Sequence, residues 1–195
     1  DSRDTFQSPS RFLIRGEIRL ANSVELSSKY NLPVSSDEEL ISRLWESEGY
    51  SIAAELRGVF AFIVQDSLSP EAFLVRDPAG AKTFYYSRSD QHWVASPRLR
   101  TLRRAVDSDI DLIAMRDFLC CAFVPGSRTM WNRIKEIRPG CILNLVSGEE
   151  KTFWEIQDKT IGNESLEWHA ARLRKLLNQV INESVTEDGI TGSYL

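Results

Sequence analysis

Apolar and polar positions change period along this chain, and the changes mark its elements. Residues 12–18, FLIRGEI, read as a strand running into a turn at Gly16. Residues 22–29 fit a short helix. Ser36, with Glu39 three residues on, is a helix-start signal. Leu40, Ile41, Leu44 and Trp45 then recur at helical spacing and give that helix a buried stripe, which Gly49 is placed to end. Residues 52–56 predict a second short helix.

The period then shortens. VFAFIV at 59–64 is a continuous apolar run of strand length, closed by turn chemistry at 67–70. Residues 72–75, 84–86 and 92–95 predict three more strands, the last two split by the polar turn 88–90. Together they predict an antiparallel meander. Strands this apolar need cover on both faces, from helices on one side and a second sheet on the other. Residues 110–119 fit a helix with Leu112, Met115 and Leu119 on one face, and VPG at 124–126 breaks the pattern. Residues 141–146 and 150–154 flank a Ser147-Gly148 turn and predict a hairpin. Polar residues 158–164 look like a linker. Residues 165–185 predict a long amphipathic helix whose face holds Leu166, His169, Leu173, Leu176, Leu177 and Val180.

Composition narrows the function classes. The 195 residues are 42% hydrophobic and 27% charged, with net charge −4, which suits one domain plus the start of another. Mild acidity disfavours a nucleic-acid reader, and Arg98, Arg100, Arg103 and Arg104 read as a solvated helix face. No apolar run approaches the ~18 residues of a membrane span. Cys120, Cys121 and Cys141 form no disulfide framework, and with His only at 92 and 169 there is no metal-ligand cluster. A reducing cytoplasm is expected. The chain opens DSRD, with neither Met nor a hydrophobic signal, so a fragment or processed chain is expected.

Several motifs, taken in order, resemble the glutamine-dependent asparagine synthetase family. RGEIRL at 15–20 resembles the family's NGEIYN, and SDEE at 36–39 its Ser-Asp-x-Glu helix start. LRGVFAF at 56–62 and RDPAGAKTFYY at 76–86 are similar to its next two segments. VPGSRT at 124–129, RPG at 138–140 and FW at 153–154 follow. The ending GSYL at 192–195 sits where the family runs into its pyrophosphate-binding loop.

The resemblance implies an α+β fold. Residues 1–157 would be a glutaminase-like four-layer αββα sandwich of N-terminal-nucleophile type, incomplete at its N-terminus. Residues 158–164 would be the linker, and 165–195 the first helix and strand of an α/β ATP-binding synthetase domain. It implies a parent that hydrolyses glutamine and uses ATP and Mg²⁺ to amidate aspartate or another carboxylate. No cofactor is expected in this fragment itself, nor nucleic acid or membrane as partner; a homodimer is left open.

The family's nucleophile is an N-terminal Cys, whose free α-amine serves as base. Residue 1 here is Asp, so no catalytic residue is expected in the fragment, and neither glutaminase activity nor ATP binding of its own. The resemblance puts the oxyanion hole at Arg15 and Gly16, with Arg15 replacing the family's Asn donor. It puts glutamine's backbone end at Gly16, Glu17 and Asp37, with Asp37 receiving the ammonium, and an adenine contact at Leu195. The Arg15 replacement favours an alternative: a non-glutaminase scaffold of the β-lactam synthetase or lasso-peptide cyclase kind.

Plainer roles stand beside these. Asp37 suits a helix's first turn, Glu17 a surface, and Gly16 a turn with positive φ. Arg76 and Asp77 suggest a structural ion pair closing a turn. The 77–82 segment lacks the spacing of a phosphate loop, which removes Gly80 and Lys82 from consideration. Trp45, Tyr85, Tyr86 and Trp154 are expected as core aromatics.

Overall fold

The computed structural model describes residues 10–33, 35–89, 92–157, 162 and 164–185. The chain divides into two units, Asp1–Glu155 and Ile156–Leu195. The first unit carries strand β1 (Phe12–Leu20), helices α1 (Ser23–Tyr30) and α2 (Asp37–Glu48), a 3₁₀ turn (Gly49–Ala54), and strands β2 (Gly58–Asp66) and β3 (Ala72–Arg76). Strands β4 (Tyr85–Arg88) and β5 (Trp93–Ser96), helices α3 (Leu99–Ala105) and α4 (Leu112–Cys121), and strands β6 (Lys135–Glu136), β7 (Cys141–Asn144) and β8 (Glu150–Thr152) follow. The second unit contains helix α5 (Leu166–Ser184), which Ser165 caps by accepting the Trp168 N–H at 3.2 Å.

Helix starts follow the sequence signals. Ser36 Oγ accepts the Glu39 N–H at 3.2 Å, and the Glu39 carboxylate reaches back to the Ser35 N–H at 3.1 Å. Gly49 closes α2 at φ 62°, where a side chain would be strained. Asp111 caps α4 by accepting two N–H groups, those of Ile113 and Ala114, at 3.0 Å each.

The expected single meander is two sheets. One runs β1-β2-β3-β7-β8 and the other β5-β4-β6, all pairs antiparallel. The chain leaves the first sheet after Arg76, and β7 returns to take the place beside β3 that the meander gave to β4. Pro78 and Gly80, at φ 65°, make that exit a tight turn.

Strand alternation then builds three apolar layers. Phe60, Phe62, Val64 and Val75 face α2, meeting Leu40, Ile41, Leu44 and Trp45. Ala61, Leu74, Cys141 and Leu143 face the second sheet, meeting Tyr86, Trp93 and Ala95. The second sheet's other side, at Tyr85 and Val94, packs on Leu102 and Val106 from α3 and its end. Helix, sheet, sheet and helix therefore stack in the α-β-β-α order expected.

Two expectations about burial fail. Leu112 and Leu119 of α4 are exposed, with only Ala114 of that helix buried. Trp154 is exposed rather than core, because it lies just past the end of β8.

The β2–β3 turn is pinned by a buried carboxylate. Asp66 accepts from Arg11 Nε at 2.9 Å, the Leu68 N–H at 2.9 Å and the Ser69 hydroxyl at 2.8 Å. The Arg11 hydrogen bond, then those of Leu68 and Ser69, hold the Asp66 carboxyl well below the usual carboxylate range. A lowered folded-state value contributes stability above the ordinary aspartate value, about 3.9. That contribution is lost as pH falls through this value towards the folded one. Asp66→Asn is therefore expected to lower the thermal midpoint at pH 7. The gap from the unsubstituted chain should shrink on acidification from about pH 5 to pH 2, measured by circular dichroism.

Candidate functional site

The expected site residues lie along β1, whose only strand partner among the described residues is β2. Antiparallel strands turn successive backbone groups alternately towards and away from a neighbour. Ala21 N–H points to Arg57 O at 2.7 Å, while Leu20 N–H turns the other way, to Asp37 Oδ2 at 2.8 Å. Gly16 lies an even number of positions before Leu20, so its N–H also faces the side of β1 away from β2. Among the described residues no strand covers that donor.

Gly16 lies mid-strand rather than in a turn, and it is not among the positive-φ glycines. Its need is steric. A Cβ built there would lie 2.3 Å from Ala61 O and 2.5 Å from Phe62 Cα, both backbone atoms of the paired strand.

Arg15 and Glu17 flank Gly16 and project from the sheet face opposite α2, since Ile14, Ile18 and Leu20 face that helix's core. Arg15 is exposed and pairs with no carboxylate among the described residues, so nothing fixes it as an oxyanion donor. Glu17 is held: Lys82 Nζ lies 2.7 Å from its Oε2. The Lys82 hydrogen bond and charge keep the Glu17 carboxyl below its usual value, and Arg98 adds in the same direction.

Lys82 reaches Glu17 because the preceding turn is clamped. Asp77, fully buried, accepts the N–H groups of Phe60 (3.3 Å), Ala81 (3.0 Å) and Lys82 (3.1 Å). Arg76 donates to the carbonyls of Lys82 (2.7 Å), Ile137 (2.6 Å) and Gly80 (3.0 Å), and pairs with Glu136 at 2.9 Å. Arg76 and Asp77 are thus structural, but each holds the loop rather than the other. Sequence reasoning dropped Lys82 with the phosphate-loop idea, and nothing local in the sequence joins it to Glu17.

Asp37 stands apart. Its carboxylate caps Leu20, about 10 Å of strand beyond Glu17. It lines a cavity of about 240 Å³ with Ser23, Ser27, Ser28, Ser35 and Ser36. The structure therefore brings Arg15, Gly16 and Glu17 together, adds Lys82, and places Asp37 further along the strand. Leu195 lies outside the described residues.

No described thiol stands at this site. Cys141 is in β7, three strands from β1 in the sheet order, and burial pushes its thiol's pKa up. Cys120 and Cys121 are exposed at the end of α4. Among the described residues no group of three or more His, Cys, Asp or Glu is placed to hold a metal ion. No described helix is long and apolar enough to cross a membrane.

Two antiparallel sheets stack between helices, and among the described residues the Gly16 N–H of β1 faces no other strand. Residues 16–154 match the glutamine amidotransferase domain, and the chain belongs to that family. It is similar to asparagine synthetase [glutamine-hydrolyzing] 1 of Bacillus subtilis (strain 168), at 27% identity over 176 residues, 88% of this chain and 28% of that protein. It is also similar to the putative asparagine synthetase [glutamine-hydrolyzing] 2 of Methanocaldococcus jannaschii, at 27% identity over 147 residues, 70% of this chain and 28% of that protein. The chain thus spans little more than a quarter of these curated relatives' length. Among solved structures, the glutamine phosphoribosylpyrophosphate amidotransferase of B. subtilis aligns at TM-score 0.50 and 16% identity, covering 80% of this chain and 32% of that one. That likeness is one of fold.

Proposed function

We propose that this chain supplies the glutamine-side domain of an ATP-dependent amide-forming enzyme of asparagine synthetase type. The supporting observation is the outward Gly16 N–H beside the Glu17 carboxylate, in a glutamine amidotransferase domain. In this reading the amide oxygen of glutamine accepts from Gly16, where negative charge develops as a nucleophile adds to the amide carbon. Glu17 faces the substrate's charged end. The nucleophile is a thiol that no described residue provides. Residues 1–157 form this domain and residues 165–195 begin the ATP-binding part, with Leu195 near the adenine. ATP, Mg²⁺, and aspartate or another carboxylate belong to the whole protein, whose setting is cytoplasmic.

Arg15, which pairs with no carboxylate among the described residues, supports a second reading, a glutamine-site scaffold without hydrolysis, as in β-lactam synthetase or lasso-peptide cyclase relatives. An arginine that no described neighbour holds is a poor fixed donor.

The 195-residue chain is expected to bind L-glutamine saturably in calorimetry and to release no ammonia from it in a coupled assay. Absence of binding overturns the glutamine-site reading. Ammonia release overturns the assignment of the nucleophile outside the described residues.

A further inference from the structure

Glu17 already binds a primary ammonium. Lys82 Nζ sits 2.7 Å from its carboxylate, and the two side chains are 44% and 51% exposed, Lys82 first. The lysine backbone has little freedom, because buried Asp77 takes its N–H and buried Arg76 its carbonyl. The side chain alone can swing, from a fixed root.

We infer that Lys82 is the resident occupant of an ammonium subsite at Glu17, and that a free α-amino acid binds by displacing it. This rests on the glutamine-site reading and adds a residue that reading does not contain. Lys82 and an α-ammonium present the same chemistry, three N–H donors on one positive nitrogen. Each therefore satisfies Glu17, and an incoming ammonium that takes the Oε2 position takes it from Lys82. An ion pair this exposed is weak, so exchange costs little. Between ligands, Glu17 discriminates by charge. An amino acid with a free ammonium replaces the lysine and keeps Glu17 paired. An N-acylated one has no cation to offer, leaves Lys82 in place and gains nothing from Glu17. Lys82 thus lowers the affinity of any ligand that uses Glu17, while Glu17 itself makes the choice between ligands.

The test is calorimetric titration of L-glutamine and N-acetyl-L-glutamine into the 195-residue chain and its Lys82→Met, Lys82→Gln, Lys82→Arg and Glu17→Gln variants. Removing the lysine charge is expected to tighten glutamine binding by up to about fivefold. The same two variants should leave N-acetyl-L-glutamine unchanged. Lys82→Arg should match the unsubstituted chain, and Glu17→Gln should lose glutamine. If Glu17→Gln loses glutamine while the Met and Gln variants bind it no tighter, or more weakly, the Lys82 inference falls and the glutamine site stands. If neither the unsubstituted chain nor the Lys82 variants bind glutamine, both fall.

Discussion

Gly16→Ala is expected to cost about 3 kcal/mol or more of folding stability, read as a large drop in the urea midpoint. A methyl there would sit 2.3 Å from Ala61 O and 2.5 Å from Phe62 Cα. Both are backbone atoms, so no rotamer change relieves the clash. Relief requires β1 to move off β2, which breaks a nine-residue register from Phe12–Asp66 to Leu20–Gly58. Gly49→Ala is the control. Its Cβ meets nothing within 4 Å, and only its backbone angles, φ 62° and ψ −150°, are unfavourable, so about 1–3 kcal/mol is expected. Equal losses at the two positions would show that strand contact does not set the requirement at Gly16. Moving β1 also moves the Gly16 amide, so any alanine chain that does fold should bind glutamine less well.

Asp77→Ala should be comparably damaging, at about 3–5 kcal/mol. The carboxylate is fully buried and accepts three backbone N–H groups, those of Phe60, Ala81 and Lys82. Alanine leaves these donors without an acceptor, at about 1–3 kcal/mol for each that stays dry. Asp77→Asn keeps one carbonyl oxygen and should lose about half as much. Urea unfolding of both variants decides it; a cost below about 1 kcal/mol for alanine would show that water replaces the carboxylate. The effect should reach Glu17 as well, since Asp77 fixes the root of Lys82.

The apolar pattern carried much of the fold because burial follows period. Leu40, Ile41, Leu44 and Trp45 are all buried, as their helical spacing required. The strand at 59–64 was legible for the same reason: Phe60 and Phe62 fill one face while Ala61 fills the other. Which strand sits beside which was not legible. Apolar runs at 72–75 and 84–86 say that each strand is covered, and say nothing of the partner. That choice depends on the long return of the chain that brings β7 against β3. The site divides in the same way. Gly16 and Glu17 stood out as motif residues, but strand periodicity cannot show that a glycine is needed because a neighbouring backbone comes close. Lys82 was hidden because its contact with Glu17 spans 65 positions of sequence. Leu112 and Leu119 share the opposite lesson, since helical spacing defines a face and does not supply the surface that covers it.

Among the described residues, the side of β1 away from β2 pairs with no other strand. An outermost strand is where a sheet can grow, and an extended peptide laid alongside would complete the ladder. The first groups such a peptide would seize include the Gly16 amide, the donor assigned to the oxyanion. Strand addition at this border would therefore compete with glutamine for the Gly16 amide, and would first have to displace the side chains of Asp37 and Ser42 from Leu20 and Phe12.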